Sequence, residues 1–95
     1  MKTSENLSKM EVAEHFTQIY EDEHNTLCFE CGKKSKQWAE VNHAIFLCLT
    51  CAAAYKEVPH YINVKSISLD LWSQEELELL KRGGNTKFKE FLRKY

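Results

Sequence analysis

Four thiols carry the clearest chemistry in this sequence: Cys28, Cys31, Cys48 and Cys51 form two C-x2-C pairs separated by sixteen residues. Two residues between thiols let both sulfurs reach one tetrahedral ion at about 2.3 Å. Two such pairs close a four-thiolate shell and leave no position open for water. The expected ion is therefore one structural zinc, with no catalytic duty. Binding of this kind contributes roughly 10–16 kcal/mol in small zinc domains, as much as the whole stability of many domains. Buried free thiols or a redox pair are the alternatives, and the spacing favours zinc over both. His24 and His43 lie near the thiols in sequence, but the complete set of four cysteines leaves neither needed as a ligand.

The elements that must position these thiols follow from pattern. Residues 28–34 form a knuckle, in which Gly32 can take the positive φ such turns often require. Ahead of it, Ser8 and Glu11 make a capping box, and Val12, Ala13, Phe16, Ile19 and Tyr20 recur at helical spacing. A helix is expected over 9–21, preceded by a polar tail over 1–8, and 9–95 is expected to form one domain. Residues 38–47 mix aromatic and β-branched side chains and predict one or two short strands. The Ala-rich run from Leu49 to Glu57 favours helix, with Pro59 marking its end. Residues 61–69 predict a short strand with an irregularity. Ser73 and Glu76 make a second capping box, with Trp72 placed to staple onto Leu77; that helix stops at Gly83-Gly84. Asn85 is expected to cap a last helix whose Phe88, Phe91, Leu92 and Tyr95 share one face. Of these, Phe88, Phe91 and Leu92 are expected in the core. The sequence ends while that face is still apolar, so a partner surface or further chain is expected to cover it.

Composition narrows the function classes. Ninety-five residues fit one domain, with 43% hydrophobic and 28% charged residues and a net charge of −1. With a pI of about 6.4 there is no basic excess to draw the molecule onto nucleic acid. After the second knuckle the run AAAYKEV carries one lysine offset by one glutamate, unlike the basic helix of a DNA-reading finger. No apolar run reaches the roughly 18 residues of a membrane span. The run MKTSENLSKMEVAEHF lacks the apolar core of a signal peptide, so a cytoplasmic or nuclear location is expected. A knuckle without a basic surround points to a protein interface.

Several runs carry a resemblance. C-F-E-C-G at 28–32, Gln37-Trp38, Ile45-Phe46-Leu47 leading into Cys48, S-I-S-L-D at 66–70 and G-G-N-T-K-F-K-E-F-L at 83–92 together resemble the ArfGAP domain, most closely its Golgi-type branch. The resemblance covers roughly residues 10–95. It implies an α+β zinc domain: a short three-stranded sheet flanked by helices, with the zinc structural. It also implies stimulation of GTP hydrolysis by an Arf-family small GTPase in vesicle trafficking. The chain would then be an enzyme regulator and not itself an enzyme. Vesicle coat proteins and peripheral contact with Golgi membranes are the further partners implied, with a cytoplasmic location.

One position departs from the pattern with chemical consequence. Five residues after its fourth cysteine the family carries an arginine finger, and this chain carries Lys56. Such fingers contribute on the order of 10³–10⁵ in rate. Lysine keeps the charge but lacks the planar fork that engages phosphate oxygens at two points. Impaired catalysis is therefore expected, and a non-catalytic module that binds a small GTPase or coat partner is the alternative. The following run, Val58 to Asn63, lacks the family's glycine and is one residue short, so the loop geometry should differ. Ala44 stands where the family has glycine, and a rearranged backbone is expected there. Trp38 is expected to pack near the zinc. Ile45 and Phe46 are expected either in the core or on a GTPase-facing surface, and Asp70 in a turn.

Overall fold

The computed structural model describes residues 6–59 and 63–94. In chain order the elements are α1 (Lys9–Ile19), a 3-10 turn (Glu23–Thr26), β1 (Trp38–Glu40), β2 (Ile45–Leu47), α2 (Leu49–Tyr55), β3 (Val64–Ser66), α3 (Gln74–Arg82) and α4 (Asn85–Arg93). The three strands form one antiparallel sheet in the order β2-β1-β3. This is the expected α+β architecture. Of the strand expected over 61–69, residues 61 and 62 lie outside the described residues, as do His60 and Tyr95.

Alternation along the hairpin divides the core in two. Ala39 pairs with Phe46, and both side chains enter a cluster with Phe16 and Ile19 from α1, Leu77 and Leu80 from α3, and Trp72 from the segment just before α3. The neighbours of Phe46 point the other way. Ile45 and Leu47 pack with Cys28, Cys48 and Ala52, and half-buried Trp38 lies against that group. Side chains two apart share a face and adjacent ones do not, so three residues of β2 serve both clusters. Ile45, Phe46 and Leu47 are all essentially fully buried, which places the first two in the core and not on a surface.

Both capping boxes form as expected. Ser8 accepts from the Glu11 N–H while Glu11 accepts from the Ser8 N–H, and Ser73 and Glu76 repeat the exchange. Just before α1, the Leu7 N–H donates to the Trp72 carbonyl (2.8 Å), and Asn6 pairs with Ser73. Trp72 itself is buried, meets Phe16 edge-on and donates its Nε1 proton to the Ser66 carbonyl. After β3 the chain turns sharply, and Asp70 Oδ2 accepts from the Ser66 N–H. Helix α2 ends at Tyr55, two residues before the expected end, and α1 at Ile19.

Three expectations need correction. Asn85 does not cap α4: Gly84, at φ +104, precedes the helix and Asn85 is its first residue, with a buried side chain. Its Oδ1 accepts from the Phe46 N–H (2.8 Å), and its Nδ2 donates to the carbonyls of His24 and Leu27. Its own N–H donates to Asn25 Oδ1. Asn85 thus ties α4 to β2 and to the segment entering the first knuckle. The second correction is on α4, where Phe91 and Leu92 are not core residues: they are 53% and 49% exposed. Phe88 turns inward onto Phe29 and His43, and Phe91 stacks on Phe88 from outside.

Ala44 adopts φ +55, the left-handed region that glycine favours. The third correction is here: the backbone is not rearranged, and the conformation a glycine would take is kept by an alanine, at a cost of roughly 1–2 kcal/mol. Its carbonyl accepts from the Gly84 N–H (2.8 Å). A Cβ built on Gly83 would lie 2.3 Å from the Ala44 Cβ, so the close approach of these segments requires glycine at 83.

Candidate metal centre and finger position

The first knuckle is built by backbone hydrogen bonds. Leu27 and Lys34 pair antiparallel, the Cys28 N–H donates to the Lys33 carbonyl (2.7 Å), and the Gly32 N–H donates to the Cys28 carbonyl (2.9 Å). Gly32 takes φ +82, as expected. The second knuckle is the start of α2. Cys48 is its N-cap residue, and its sulfur accepts from the Cys51 N–H at 3.4 Å. A thiol in a capping position brings Cys51, one helical turn further, to the same side.

All four sulfurs lie within 4.8 Å of one another, and Sγ of Cys31 and Cys48 are 3.8 Å apart. Tetrahedral coordination at 2.3 Å per bond requires sulfurs about 3.8 Å apart. A disulfide would require about 2.05 Å, so the cysteines are free. The tetrad fits a closed four-thiolate metal site. His24 and His43 take no part in it: His24 Nδ1 contacts Asp22, and His43 Nδ1 contacts Glu40.

The protonation chemistry suits a cation. Donation from the Cys51 N–H pulls the Cys48 thiol down to about 7, so one ligand is thiolate-ready near neutral pH. Burial pushes the Cys51 thiol up, and the neighbouring sulfurs of Cys28, Cys48 and Cys31 push it further. Four thiolates at this separation repel one another strongly. A divalent ion held by Cys28, Cys31, Cys48 and Cys51 would remove that repulsion and let all four ionise.

Lys56 is the C-cap residue of α2, one residue beyond the helix and exposed. Its Nζ lies over the ring of Trp38, 4.4 Å from the centroid. Beside it, Tyr55 donates its hydroxyl proton to Glu30 in the first knuckle (2.8 Å), which fastens the end of α2 across the metal site. A groove of about 490 Å³ runs between the first knuckle and α4, away from Lys56.

Sequence reasoning missed Glu40. It is fully buried in β1, where Oε1 accepts from the His43 N–H (2.7 Å) and contacts His43 Nδ1, while Oε2 accepts from the Asn63 N–H. The carboxylate pins the hairpin turn and the segment that enters β3. Its one sequence signal was an acid inside the otherwise apolar run WAEV.

With this geometry in place, comparison with known proteins is specific. The ArfGap family, described as "Putative GTPase activating protein for Arf", matches residues 13–95. UBA domain-containing protein 3 of Schizosaccharomyces pombe is 47% identical over 62 residues, covering 64% of this chain and 10% of that protein. ADP-ribosylation factor GTPase-activating protein 3 of Mus musculus is 28% identical over 90 residues, covering 93% of this chain and 17% of that protein. In fold, the chain is similar to the crystal structure of a "putative GTPase activating protein for ADP ribosylation factor from Cryptosporidium parvum". There the TM-score is 0.86 at 23% identity, over 94% of this chain and 71% of the other. The chain spans only a small part, 10% and 17%, of the two curated relatives just named. The match over most of its length decides the family nonetheless: this chain belongs to the ArfGap family.

Proposed function

We propose that this domain binds an Arf-type small GTPase in its GTP-bound form and acts on its hydrolysis as a regulator in trans, with one zinc ion held by Cys28, Cys31, Cys48 and Cys51. The observation that carries the reading is the family match over residues 13–95. The four convergent thiols support zinc, the ion whose preference for thiolates and tetrahedral geometry suits such a shell. The ion is structural. It holds the knuckles and α2, and through α2 it sets where Lys56 emerges.

Lys56 is the residue assigned to the finger position. Its ammonium can place one positive charge near a transferring phosphoryl group, but it cannot grip two oxygens at once. Its resting place over Trp38 also satisfies the charge within the domain. Slow stimulation is the consequence, and this contact favours the second reading, a module that docks without accelerating hydrolysis. Cytoplasmic placement, recruitment to Golgi membranes and contact with vesicle coat proteins complete the proposal.

Single-turnover GTP hydrolysis by a panel of Arf proteins, with the zinc-loaded domain added, tests it. Wild type should stimulate weakly, and Lys56→Arg should raise the rate by roughly 10²-fold. Strong stimulation by wild type would refute the impairment. Selective capture of the GTP-loaded GTPase without rate enhancement by either protein would establish the docking module. Equal failure to bind GTP- and GDP-loaded forms would overturn the proposal.

A further inference from the structure

Three lysines, Lys33, Lys34 and Lys36, stand in four consecutive residues on the outer side of the first knuckle, in a chain whose net charge is −1. All three are exposed, and among the described residues no carboxylate pairs with any of them. The nearest acids in sequence are occupied: Glu30 accepts from the Tyr55 hydroxyl, and Glu40 is fully buried against His43 and Asn63. The lysines border a concavity of about 320 Å³ that also takes in Ser35, Thr50 and Leu49 and has no acid among the described residues of its lining. Leu49, at the first turn of α2, is 58% exposed. The backbone beneath is fixed, because Lys33 and Lys34 are the residues that close the knuckle onto Cys28 and Leu27. Lys36 is steadied over the Tyr20 ring.

We infer that this face is a second binding site, for an anionic membrane surface, with a phosphate headgroup seated among the lysines and Leu49 reaching the acyl boundary. The inference does not depend on GTPase activation. The chemistry favours lipid over a protein partner. Lysine is depleted from protein interface cores, where arginine and aromatic side chains provide the anchors, and this concavity has neither in its lining. Lysine is well suited to phosphate as a point charge. A cluster of flexible cations beside one exposed aliphatic side chain matches a headgroup layer, which is itself fluid and presents no fixed shape.

Vesicle co-sedimentation of the zinc-loaded chain tests it. The vesicles would contain phosphatidylcholine alone, or phosphatidylcholine with phosphatidylserine, or with phosphatidylinositol bisphosphate matched in total charge. Retention should occur on both anionic sets, be stronger on the phosphoinositide and weaken as salt rises. Replacing the three lysines by alanine should lower affinity roughly hundredfold, and replacing them by arginine should restore it. Leu49→Ser should weaken vesicle binding severalfold and leave binding of soluble inositol trisphosphate unchanged. Metal content and circular dichroism identical to wild type show that the variants are folded. Equal retention on neutral vesicles would overturn the inference, as would an alanine triple variant that binds like wild type. Inositol trisphosphate binding as tightly as vesicles, with Leu49→Ser without effect, would make the ligand soluble and overturn the membrane reading. A triple variant that keeps vesicle binding but loses a GTPase partner would assign the face to protein.

Discussion

On one face of the sheet nine buried side chains, from Phe16 to Leu80, form a core that includes Phe16 of α1, Trp72 just ahead of α3 and leucines from α3. On the other face the hydrophobic cluster has five buried members among the described residues, and two of those are thiols. The first group contains no thiol and packs α1 and α3 by apolar burial. The second consists of Ile45, Leu47, Ala52 and two cysteines, and it must hold two knuckles and a seven-residue helix. Helices that short do not persist in water on their own. One face is built by burial, therefore, and the other is arranged for coordination. A domain of this size uses a metal where its apolar residues run out.

Removing the metal should break the comparison most visibly. Chelation, or Cys48→Ser, forfeits stabilisation on the order of 10 kcal/mol and should unfold α2 and both knuckles. Amide exchange would show β2 and α2 opening first, and an exchange pattern unchanged by strong chelators would sink the account. Leu77→Ala strikes the opposite face. It should cost about 3 kcal/mol in denaturant unfolding, yet leave one metal bound per chain by elemental analysis. Loss of metal in that variant would mean the two faces are one cooperative unit. Asn85→Ala removes the tie between them, leaving the Phe46 N–H and two carbonyls unpaired in the interior. A loss of about 2–4 kcal/mol is expected, with faster exchange at Phe46; a loss below about 0.5 kcal/mol would show that water replaces the amide. Ser73→Ala deletes one helix cap and should cost about 1 kcal/mol, confined to α3 and detectable as a small shift of the thermal midpoint.

What was legible in the sequence is what depends on near neighbours. The two capping boxes, the C-x2-C turns and the glycine of the first knuckle are set by residues within four positions of one another, and each formed as expected. Asn85 was misread for the converse reason. An asparagine after two glycines and before a helical run has the local signature of a cap, whereas its actual partners lie 39 to 61 residues away. Phe91 and Leu92 were placed in the core because periodicity marks a shared face without saying what lies opposite. The metal site was readable because coordination demands a fixed spacing. The stacking of Lys56 on Trp38 was not, since nothing local links positions 38 and 56.

The approach of Gly83 to Ala44 has a consequence for how this sequence can change. The space between the two backbones holds a single methyl group, now contributed by residue 44. An alanine at 83 has room only after 44 has become glycine, so the two exchanges succeed in one order and fail in the other. Moving the methyl from one segment to the other must pass through the double glycine, and the same substitution at 83 is then harmful or tolerable according to what happened first at 44.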